Sequence, residues 1–366
     1  MSERSDDAPA VPPPNANPDL IGHEAAEETL RRGFQSDRLP HAWLITGPRG
    51  IGKATLAYRF ARFVLASNTA EAAPGLFGDE PRGLDVDPES GAFRRVAAGG
   101  HPDLRSLELG LNPRTGRPRS EIPVEDVRAA GAFLRMTSAE GGWRIVVADP
   151  IDDLSRSAAN ALLKALEEPP ARTLLLLVSH APGRIPSTIR SRCCRIALHP
   201  LPEATVVQLL GRHAPDLAIE DRGALARLAE GSIGRALDLA AGGGLELFRE
   251  LLDLLSEWPN LDVARVHAFG DRLGQRADSG AFRTGTELMT WWLGRVVRSG
   301  AEGQLLQEVV AGEGALTERL LARRPLAHWL GLWEKITRLF AQAEAANLDR
   351  KQVVITAFLE YEAVAS

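Results

Sequence analysis

One glycine-rich stretch constrains the fold of this chain more than any other part of the sequence. The apolar segment Trp43–Thr46 has the length of a short buried strand, and a helical run follows from Leu56 to about Ala66. Between them lies a loop with the spacing of a phosphate-binding loop (P-loop), in which backbone N–H groups and a helix N-terminus hold phosphate oxygens. The residues that match this pattern are Gly47, Gly50, Gly52 and Lys53. The pattern predicts an α/β fold with a P-loop after its first strand; the alternative is an ordinary glycine-rich turn.

The position after the lysine departs from the pattern. P-loops carry a Ser or Thr there, because its hydroxyl ligates Mg²⁺, but this chain has Ala54. Thr55 lies one residue further on, about 100° around the helix, so it cannot simply take over. We therefore expect no required cofactor, and at most weak binding of ATP or ADP that is nearly independent of Mg²⁺.

A second strand ends in a candidate for the same site. Residues Arg144–Asp149 are short and apolar enough for a buried strand of a parallel sheet. An aspartate at the C-terminal end of such a strand steadies Mg²⁺ in P-loop proteins, which makes Asp149 a candidate. The alternative for Asp149, and for Asp152 and Asp153 nearby, is a helix-capping or turn carboxylate.

Composition excludes several classes of protein. At 366 residues the chain is long enough for two or three domains. Its formal net charge of −5 argues against a protein that covers nucleic acid with its whole surface. The two cysteines are adjacent, Cys193 and Cys194, which excludes a disulfide framework and a four-cysteine zinc module.

Targeting signals are also missing. Residues 1–18 are polar and proline-rich without an apolar core, so they do not read as a signal peptide. No run of 18 apolar residues predicts a membrane span. We expect a cytoplasmic protein without a membrane partner.

Two stretches in the second hundred residues carry a specific resemblance. Taken alone, Arg190 and Arg192 read as solvated side chains beside a strand. The run Ala158–Pro170 and the run Thr188–Cys193, however, resemble bacterial sliding-clamp loaders, and among them the delta-prime subunits of DNA polymerase III. The resemblance extends from about Leu20 to Phe358 and includes the lead-in to the P-loop.

The resemblance implies roles for individual residues. The triplet Ser191-Arg192-Cys193 matches the arginine-finger motif of that family, so Arg192 is expected to act in trans on a neighbour's nucleotide. Gly231–Leu237 resembles the sensor-2 motif, which would direct Arg235 at nucleotide phosphates; the alternative is a capping Ser232 with a solvated Arg235. Where hydrolysing ATPases of the AAA+ type carry a water-activating glutamate, this chain has Pro150.

The resemblance also implies the architecture. It predicts a disordered tail (1–18), an AAA+ α/β domain (19–200), a small helical lid (201–243) and an all-α collar for oligomerisation (244–366). We expect residues 70–100 to be a mobile insertion without a packed element. This insertion has no cysteine, so the zinc module found there in relatives is expected to be absent.

The expected function is that of a stator-like clamp-loader subunit that does not hydrolyse ATP but completes a neighbour's ATPase site. Its partners would be the gamma or tau and delta subunits, the sliding clamp and primed DNA. One alternative is a motor subunit that hydrolyses ATP itself, against which Ala54 and Pro150 count. The other is a plain nucleic-acid-binding protein of AAA+ descent, which the negative net charge disfavours.

Overall fold

The computed structural model describes residues 11–36, 39–67, 83–111, 116, 119–274, 280–346 and 348–364. Its strands are β1 (Ala42–Thr46), β2 (Leu104–Glu108), β3 (Arg144–Asp149), β4 (Thr173–Ser179) and β5 (Cys194–Ala197). The helices of the α/β part are α1 (Glu24–Gln35), α2 (Lys53–Ala66), α3 (Gly91–Ala97), α4 (Val124–Leu134), α5 (Arg156–Glu167) and α6 (Ser187–Arg190). Those that follow are α7 (Glu203–His213), α8 (Ile219–Leu228), α9 (Ile233–Ala241), α10 (Gly244–Ser256), α11 (Val263–Gly274), α12 (Ala281–Glu302), α13 (Glu313–Arg323), α14 (Leu326–Ala346) and α15 (Arg350–Ala363).

The five strands form one parallel sheet in the order β2-β3-β4-β1-β5. Parallel neighbours need crossover connections, and the helices that supply them cover both faces of the sheet. The residues of β1 and β4 are accordingly buried on both faces. The apolar runs at 43–46, 144–149, 173–179 and 193–198 predict four strands, and β1, β3, β4 and β5 confirm them to within about a residue of these bounds. The polar edge strand β2 was not predicted, because only Leu107 of its five residues is buried.

Two apolar clusters hold the helices against the sheet. On one face the buried side chains of α2, with Leu30 of α1 and Val96 of α3, pack against β1, β3 and β4. On the other face α4, α5 and the short α6 pack against the alternate residues of the same strands. This part of the chain is therefore an α/β domain, as expected, with a parallel sheet between two helical layers.

Strand direction gives the sheet two different edges. The residues that follow the strands, including the P-loop after β1, lie at what we call the carboxyl edge. The residues that precede the strands, including Arg192 before β5, lie at the opposite amino edge. Trp43 pairs with Cys194 and Thr46 with Ala197, so β1 and β5 run side by side between the two edges.

A buried arginine, Arg62, bonds to the N-terminal segment that was expected to be a disordered tail. Arg62 on α2 is 2% exposed. Its guanidinium donates to the carbonyls of Asn15 (2.7 Å) and Asn17 (2.5 Å) and lies 4.5 Å from the ring centre of Phe93. The expectation of disorder is therefore wrong for residues 11–18, because a buried cation needs these acceptors. Residues 1–10 of the predicted tail lie outside the described residues.

The predicted insertion also contains a packed element. Helix α3 buries Ala92, Phe93 and Val96, and its N-terminus is capped by Ser90, which accepts from the N–H of Phe93. The expectation of an unpacked excursion is therefore wrong for residues 83–100. The polar composition of this stretch gave no sign of an amphipathic helix of two turns. Residues 70–82 lie outside the described part of the chain.

The chain divides into two compact units, residues 1–209 with 230–234 and residues 210–229 with 235–366. The second unit is helical in all of its described elements, as expected from the sequence. Its core contains Trp292 and Trp329, both 0% exposed, so these two tryptophans serve packing. The finer boundaries of tail, lid and collar stay a prediction. Among the described residues, no helix is both long and apolar enough to cross a membrane.

The buried pair Arg59–Glu27 gives the first prediction. The Nε of Arg59 donates to Glu27 at 2.6 Å, and both side chains are about nine-tenths buried. Arg59→Ala should lower the free energy of unfolding by about 3–5 kcal/mol, because the Glu27 carboxylate is left buried without its partner. Denaturant unfolding measures this.

The exposed pair Arg94–Glu89 is the matched control, with side chains 64% and 80% exposed. Arg94→Ala should change the same free energy by less than about 1 kcal/mol. Equal losses in the two variants would contradict the role assigned to burial.

Candidate functional site

The loop after β1 has the backbone of a phosphate cradle. Gly47, Gly50 and Gly52 have φ of +147°, +75° and +103°, which L side chains rarely adopt. A Cβ at Gly47 would also lie 2.5 Å from the carbonyl oxygen of Leu198. The glycines that the sequence singled out are therefore required by the course of the loop.

Helix α2 begins at Lys53, directly after this loop, and no side chain caps its N-terminus. The first backbone N–H bonded back into the helix is that of Leu56, which donates to Gly52. The N–H groups of the first turn therefore face the loop, where the helix dipole adds partial positive charge. This arrangement fits a phosphate group.

Lys53 is committed to the loop itself. Its side chain is 3% exposed, and its ammonium donates to the carbonyl of Pro48. Burial lowers the pKa of Lys53 to about 8, although the nearby carboxylates of Asp149 and Asp152 act in the opposite direction. A phosphate would have to displace the Pro48 carbonyl to reach the lysine.

The segment before α9 closes over the loop from outside. The Ser232 hydroxyl donates to the carbonyl of Arg49 at 2.8 Å, and the Gly234 N–H donates to the carbonyl of Gly50 at 2.9 Å. A Cβ on Gly234 would lie 2.9 Å from the Cα of Gly50, so only glycine fits there. The loop is thus held in shape by protein contacts alone. His23, at the N-terminus of α1, makes a further contact with the loop. Its Nε2 lies 2.7 Å from the carbonyl oxygen of Ile51.

Asp149 stands where the sequence predicted, at the last position of β3 on the carboxyl edge. Burial, reinforced by the charge of Glu108, raises the pKa of Asp149 to about 6, while Lys53 and Arg49 oppose the shift. Glu108 pairs with Asp149 in register across β2 and β3 and accepts from the Tyr58 hydroxyl at 2.8 Å. The sequence did not single out Glu108, because β2 was not recognised as a strand.

Asp152 has a structural task. Its carboxylate accepts from the Ser179 hydroxyl at 2.8 Å and from the N–H groups of His180 and Ala181 at 2.5 and 3.1 Å. It therefore holds the turn after β4, as the turn-aspartate alternative anticipated. His180 follows β4 directly at the carboxyl edge, and burial, helped by the charge of Lys53, lowers its pKa to about 4. His180 was not predicted, although its place after a buried strand was a usable signal.

These residues fit a phosphate better than they fit Mg²⁺. Ala54 has no side-chain oxygen to offer a metal, and Asp149 gains a proton more readily than an ordinary aspartate. Among the described residues, no group of three or more His, Cys, Asp or Glu side chains is arranged to hold a metal ion. Thr55 is 8% exposed and lies on α2 one residue beyond the expected position. No metal-dependent step is assigned to this site.

Arg192 lies at the other edge of the sheet. It comes two residues before Cys194, which pairs with Trp43 near the start of β1, whereas Gly47 follows the end of that strand. Four residues of strand separate Trp43 from Gly47, a distance of about 13 Å before the offset of Arg192 is added. The structure therefore does not bring Arg192 together with the P-loop of its own chain.

The guanidinium of Arg192 is exposed but anchored. Its Nη1 donates to the carbonyl of Thr188 at 2.9 Å, and its Nη2 forms an ion pair with Glu167 at 2.8 Å. Ser191 is exposed and donates to the carbonyl of Thr188 at 3.2 Å. Cys193 is half-buried against the core, and this burial raises the pKa of its thiol to about 11, which makes it a poor nucleophile.

Arg235 is the third residue of α9 and is partly buried. It belongs to the second compact unit, whereas the P-loop belongs to the first. Its expected role toward nucleotide phosphates therefore stays a prediction.

Comparison with known proteins agrees with this geometry. The family model described as "DNA polymerase III, delta subunit" matches residues 22–202, which include the sheet, the P-loop and Arg192. A DNA polymerase III subunit delta' of Escherichia coli is 31% identical over 246 residues, which cover 66% of this chain and 68% of that protein. The chain belongs to the bacterial DNA polymerase III delta-prime family of clamp-loader subunits.

Other relatives are similar over different parts of the chain. The delta' subunit of Pseudomonas aeruginosa is 39% identical over 193 residues, covering 52% of this chain and 53% of that protein. The tau subunit of E. coli is 31% identical over 274 residues, covering 71% of this chain and 39% of that protein. The match therefore spans only about half or less of these two curated relatives.

A solved gamma subunit-related protein of Thermotoga maritima has 17% identity and a TM-score of 0.38, covering 93% of this chain and 99% of that one. A likeness of this degree adds nothing to the assignment of function. Because the chain is similar to both delta-prime and tau subunits, sequence similarity does not separate the roles of these two kinds of subunit.

The partly buried carboxyl of Asp149 gives a prediction about pH. Its pKa of about 6 exceeds the ordinary 3.8, so the folded chain binds this proton more tightly than the unfolded chain does. Ionisation of Asp149 therefore lowers the free energy of unfolding above about pH 6. This loss disappears below about pH 4, where the carboxyl is protonated in both states. Asp149→Asn should raise the free energy of unfolding by about 1–3 kcal/mol at pH 7.5 and leave it nearly unchanged at pH 4.

Asp152→Asn is the matched control, because its carboxylate accepts three hydrogen bonds instead of lacking partners. It should lower the same free energy by about 1–3 kcal/mol at pH 7.5. Denaturant titrations of both variants at the two pH values make the comparison. A loss of stability in Asp149→Asn at pH 7.5 would contradict the unfavourable burial of this carboxylate.

Proposed function

We propose that this chain is the stator-like, non-hydrolysing subunit of a bacterial sliding-clamp loader, and that it donates Arg192 to the nucleotide site of a neighbouring subunit. The observation that carries the proposal is the separation of two features within one sheet. The chain's own phosphate cradle lies at the carboxyl edge, and its anchored, exposed arginine lies at the amino edge. An arginine in that position serves a nucleotide held by another chain.

The carboxyl edge supports the first half of the proposal. Hydrolysis needs a phosphate cradle, a Mg²⁺ ligand set and a base or positioned water. The cradle is retained, but Ala54 removes the metal-binding hydroxyl and Pro150 stands in the place of the water-activating glutamate. The lysine is also engaged by the Pro48 carbonyl within the closed loop. Losses at both the metal and the water positions argue against a working motor.

The amino edge supports the second half. A guanidinium keeps its charge at neutral pH and presents a planar fork that matches phosphate oxygens. Arg192 keeps 37% of its side chain exposed while two protein acceptors hold it, so it faces outward in a defined position. When negative charge develops on a transferring phosphoryl group, such a donor stabilises the transition state.

The specific alternative is a motor subunit of the gamma or tau kind. Lys53 and Asp149 are retained, Glu108 lies beside Asp149, and the similarity to a tau subunit extends over 71% of this chain. Glu108, however, accepts a hydrogen bond from Tyr58 and stands on a different strand from the missing glutamate. We therefore favour the stator-like role.

The proposed partners are the gamma or tau and delta subunits, the sliding clamp and primed DNA, and the proposed location is the cytoplasm. Membership of a family of polymerase subunits supports a heteromeric complex. No zinc is assigned to the chain, and nucleotide is not required for its role.

The first functional prediction concerns hydrolysis by the isolated chain. Its ATPase should stay at background, because the metal-binding hydroxyl and the water-activating carboxylate are both missing. Any ATP binding should be weak and unchanged by a metal chelator, which calorimetry measures. Turnover near the common enzyme range of about 1–10 s⁻¹ that disappears in Lys53→Ala would favour the motor role instead.

The second concerns Arg192→Ala in a reconstituted clamp loader. The complex should assemble normally but lose DNA- and clamp-stimulated ATP hydrolysis and clamp loading. An arginine finger contributes about 10³–10⁵ in rate at its site, and the bulk loss should be smaller because the other sites keep their own fingers. Arg192→Lys should rescue poorly, since a point charge lacks the fork.

Arg190→Ala is the matched control, because Arg190 is exposed and lies two residues away at the end of α6. It should have a milder effect than Arg192→Ala. Full activity of the Arg192→Ala complex would refute the in-trans role.

A further inference from the structure

The position of Arg192 depends on one residue from another element. Glu167 is the last residue of α5, far from Arg192 along the chain but adjacent to it at the amino edge. Its Oε1 lies 2.8 Å from the Nη2 of Arg192. The neighbouring Nη1 donates a hydrogen bond to the carbonyl of Thr188 at 2.9 Å. The Ser191 hydroxyl oxygen lies 3.4 Å from the same nitrogen.

Stability does not explain this ion pair. The two side chains are 37% and 50% exposed, so water screens their attraction and the pair contributes little to folding. Glu167 and Glu168 also stand at the C-terminal end of α5, where the helix dipole disfavours negative charge. A carboxylate in this place costs the helix some stability, so the contact with Arg192 calls for another reason.

The geometry of the guanidinium supplies that reason. Arginine has five N–H donors in a rigid plane. The Thr188 carbonyl accepts a hydrogen bond from Nη1, and the Glu167 carboxylate contacts Nη2 as an ion pair. Within the described part of the chain no acceptor forms a hydrogen bond with the N–H groups of Nε or Nη2, so these donors are left for an incoming oxygen. The contacts therefore fix the plane of the fork while leaving part of it available.

We propose that Glu167 is a positioning residue, which holds the Arg192 fork in the orientation that meets a neighbour's nucleotide phosphates. The inference rests on the proposed in-trans role of Arg192. A long, exposed arginine samples many rotamers, and a donor acts best in catalysis when its orientation is set before the reaction. Glu167 acts through Arg192 and does not itself touch the phosphates.

The test uses the reconstituted clamp loader with DNA and clamp. Glu167→Ala should lower kcat for ATP hydrolysis by about threefold or more, because a mispositioned donor loses much of its effect, and should leave the KM for ATP nearly unchanged. Glu167→Gln keeps an acceptor oxygen and should restore most of the activity. Glu168→Ala is the matched control, since Glu168 is the next residue and is equally exposed; it should have no effect.

A double-mutant cycle separates positioning from other roles. In the Arg192→Ala background, Glu167→Ala should cause no further loss, since residues that act through one another are not additive. The thermal midpoint of Glu167→Ala should equal that of the unmodified chain or lie slightly above it. Additive losses, or a Glu167→Ala loss that follows a lowered midpoint, would overturn the inference.

Failure of this inference can be told apart from failure of the proposed function. If Arg192→Ala lowers activity and Glu167→Ala does not, only the positioning role is wrong. If Arg192→Ala has no effect, the in-trans role and the positioning role are both wrong.

Discussion

Because all five strands run in the same direction, every loop that follows a strand opens at the carboxyl edge and every segment that precedes one lies at the amino edge. The P-loop and His180 follow strands and Asp149 ends one, so all three lie at the carboxyl edge. Arg192 precedes β5 and lies at the amino edge, where α5 also ends after running back along the sheet. A strand length of backbone thus keeps the arginine away from its own phosphate cradle. In the function proposed here, this separation leaves Arg192 for a nucleotide that a second chain holds.

The loop at the carboxyl edge keeps the backbone of a phosphate cradle, although Ala54 and Pro150 stand where a hydrolysing ATPase has its metal-binding hydroxyl and its water-activating glutamate. Lys53 is buried and Asp149 partly buried, and desolvation shifts their pKa values toward the neutral forms, to about 8 and about 6. Burial of this kind costs free energy unless a ligand or a protein group compensates. Here the Pro48 carbonyl receives the lysine, and Ser232 and Gly234 hold the outside of the loop. These contacts are compatible with the proposed role of a subunit that does not hydrolyse ATP itself.

Much of the fold followed from local pattern. The glycines and Lys53 predicted the P-loop, and the apolar runs predicted four of the five strands, since central strands of a parallel sheet are apolar on both faces. The edge strand β2 was missed because an edge carries little apolar signal. Helix α3 was missed because seven residues in a polar stretch show no clear period.

The contacts that organise the sites were beyond prediction for another reason. Arg62 with Asn15, Asp152 with the turn after β4, and Glu167 with Arg192 join residues distant in sequence. The sequence identifies each as polar but does not say which partner it meets. Such pairings depend on strand order, which periodicity does not encode.

The most direct measurement compares two complete clamp loaders that differ only in this chain. One carries Lys53→Ala at the carboxyl edge and the other Arg192→Ala at the amino edge, and the rate of clamp loading onto primed DNA is measured for both. If this chain acts through its arginine and not through its own nucleotide site, the Lys53→Ala complex should load clamps at the unmodified rate while the Arg192→Ala complex loads them much more slowly. A Lys53→Ala complex that fails while the Arg192→Ala complex works would contradict the account.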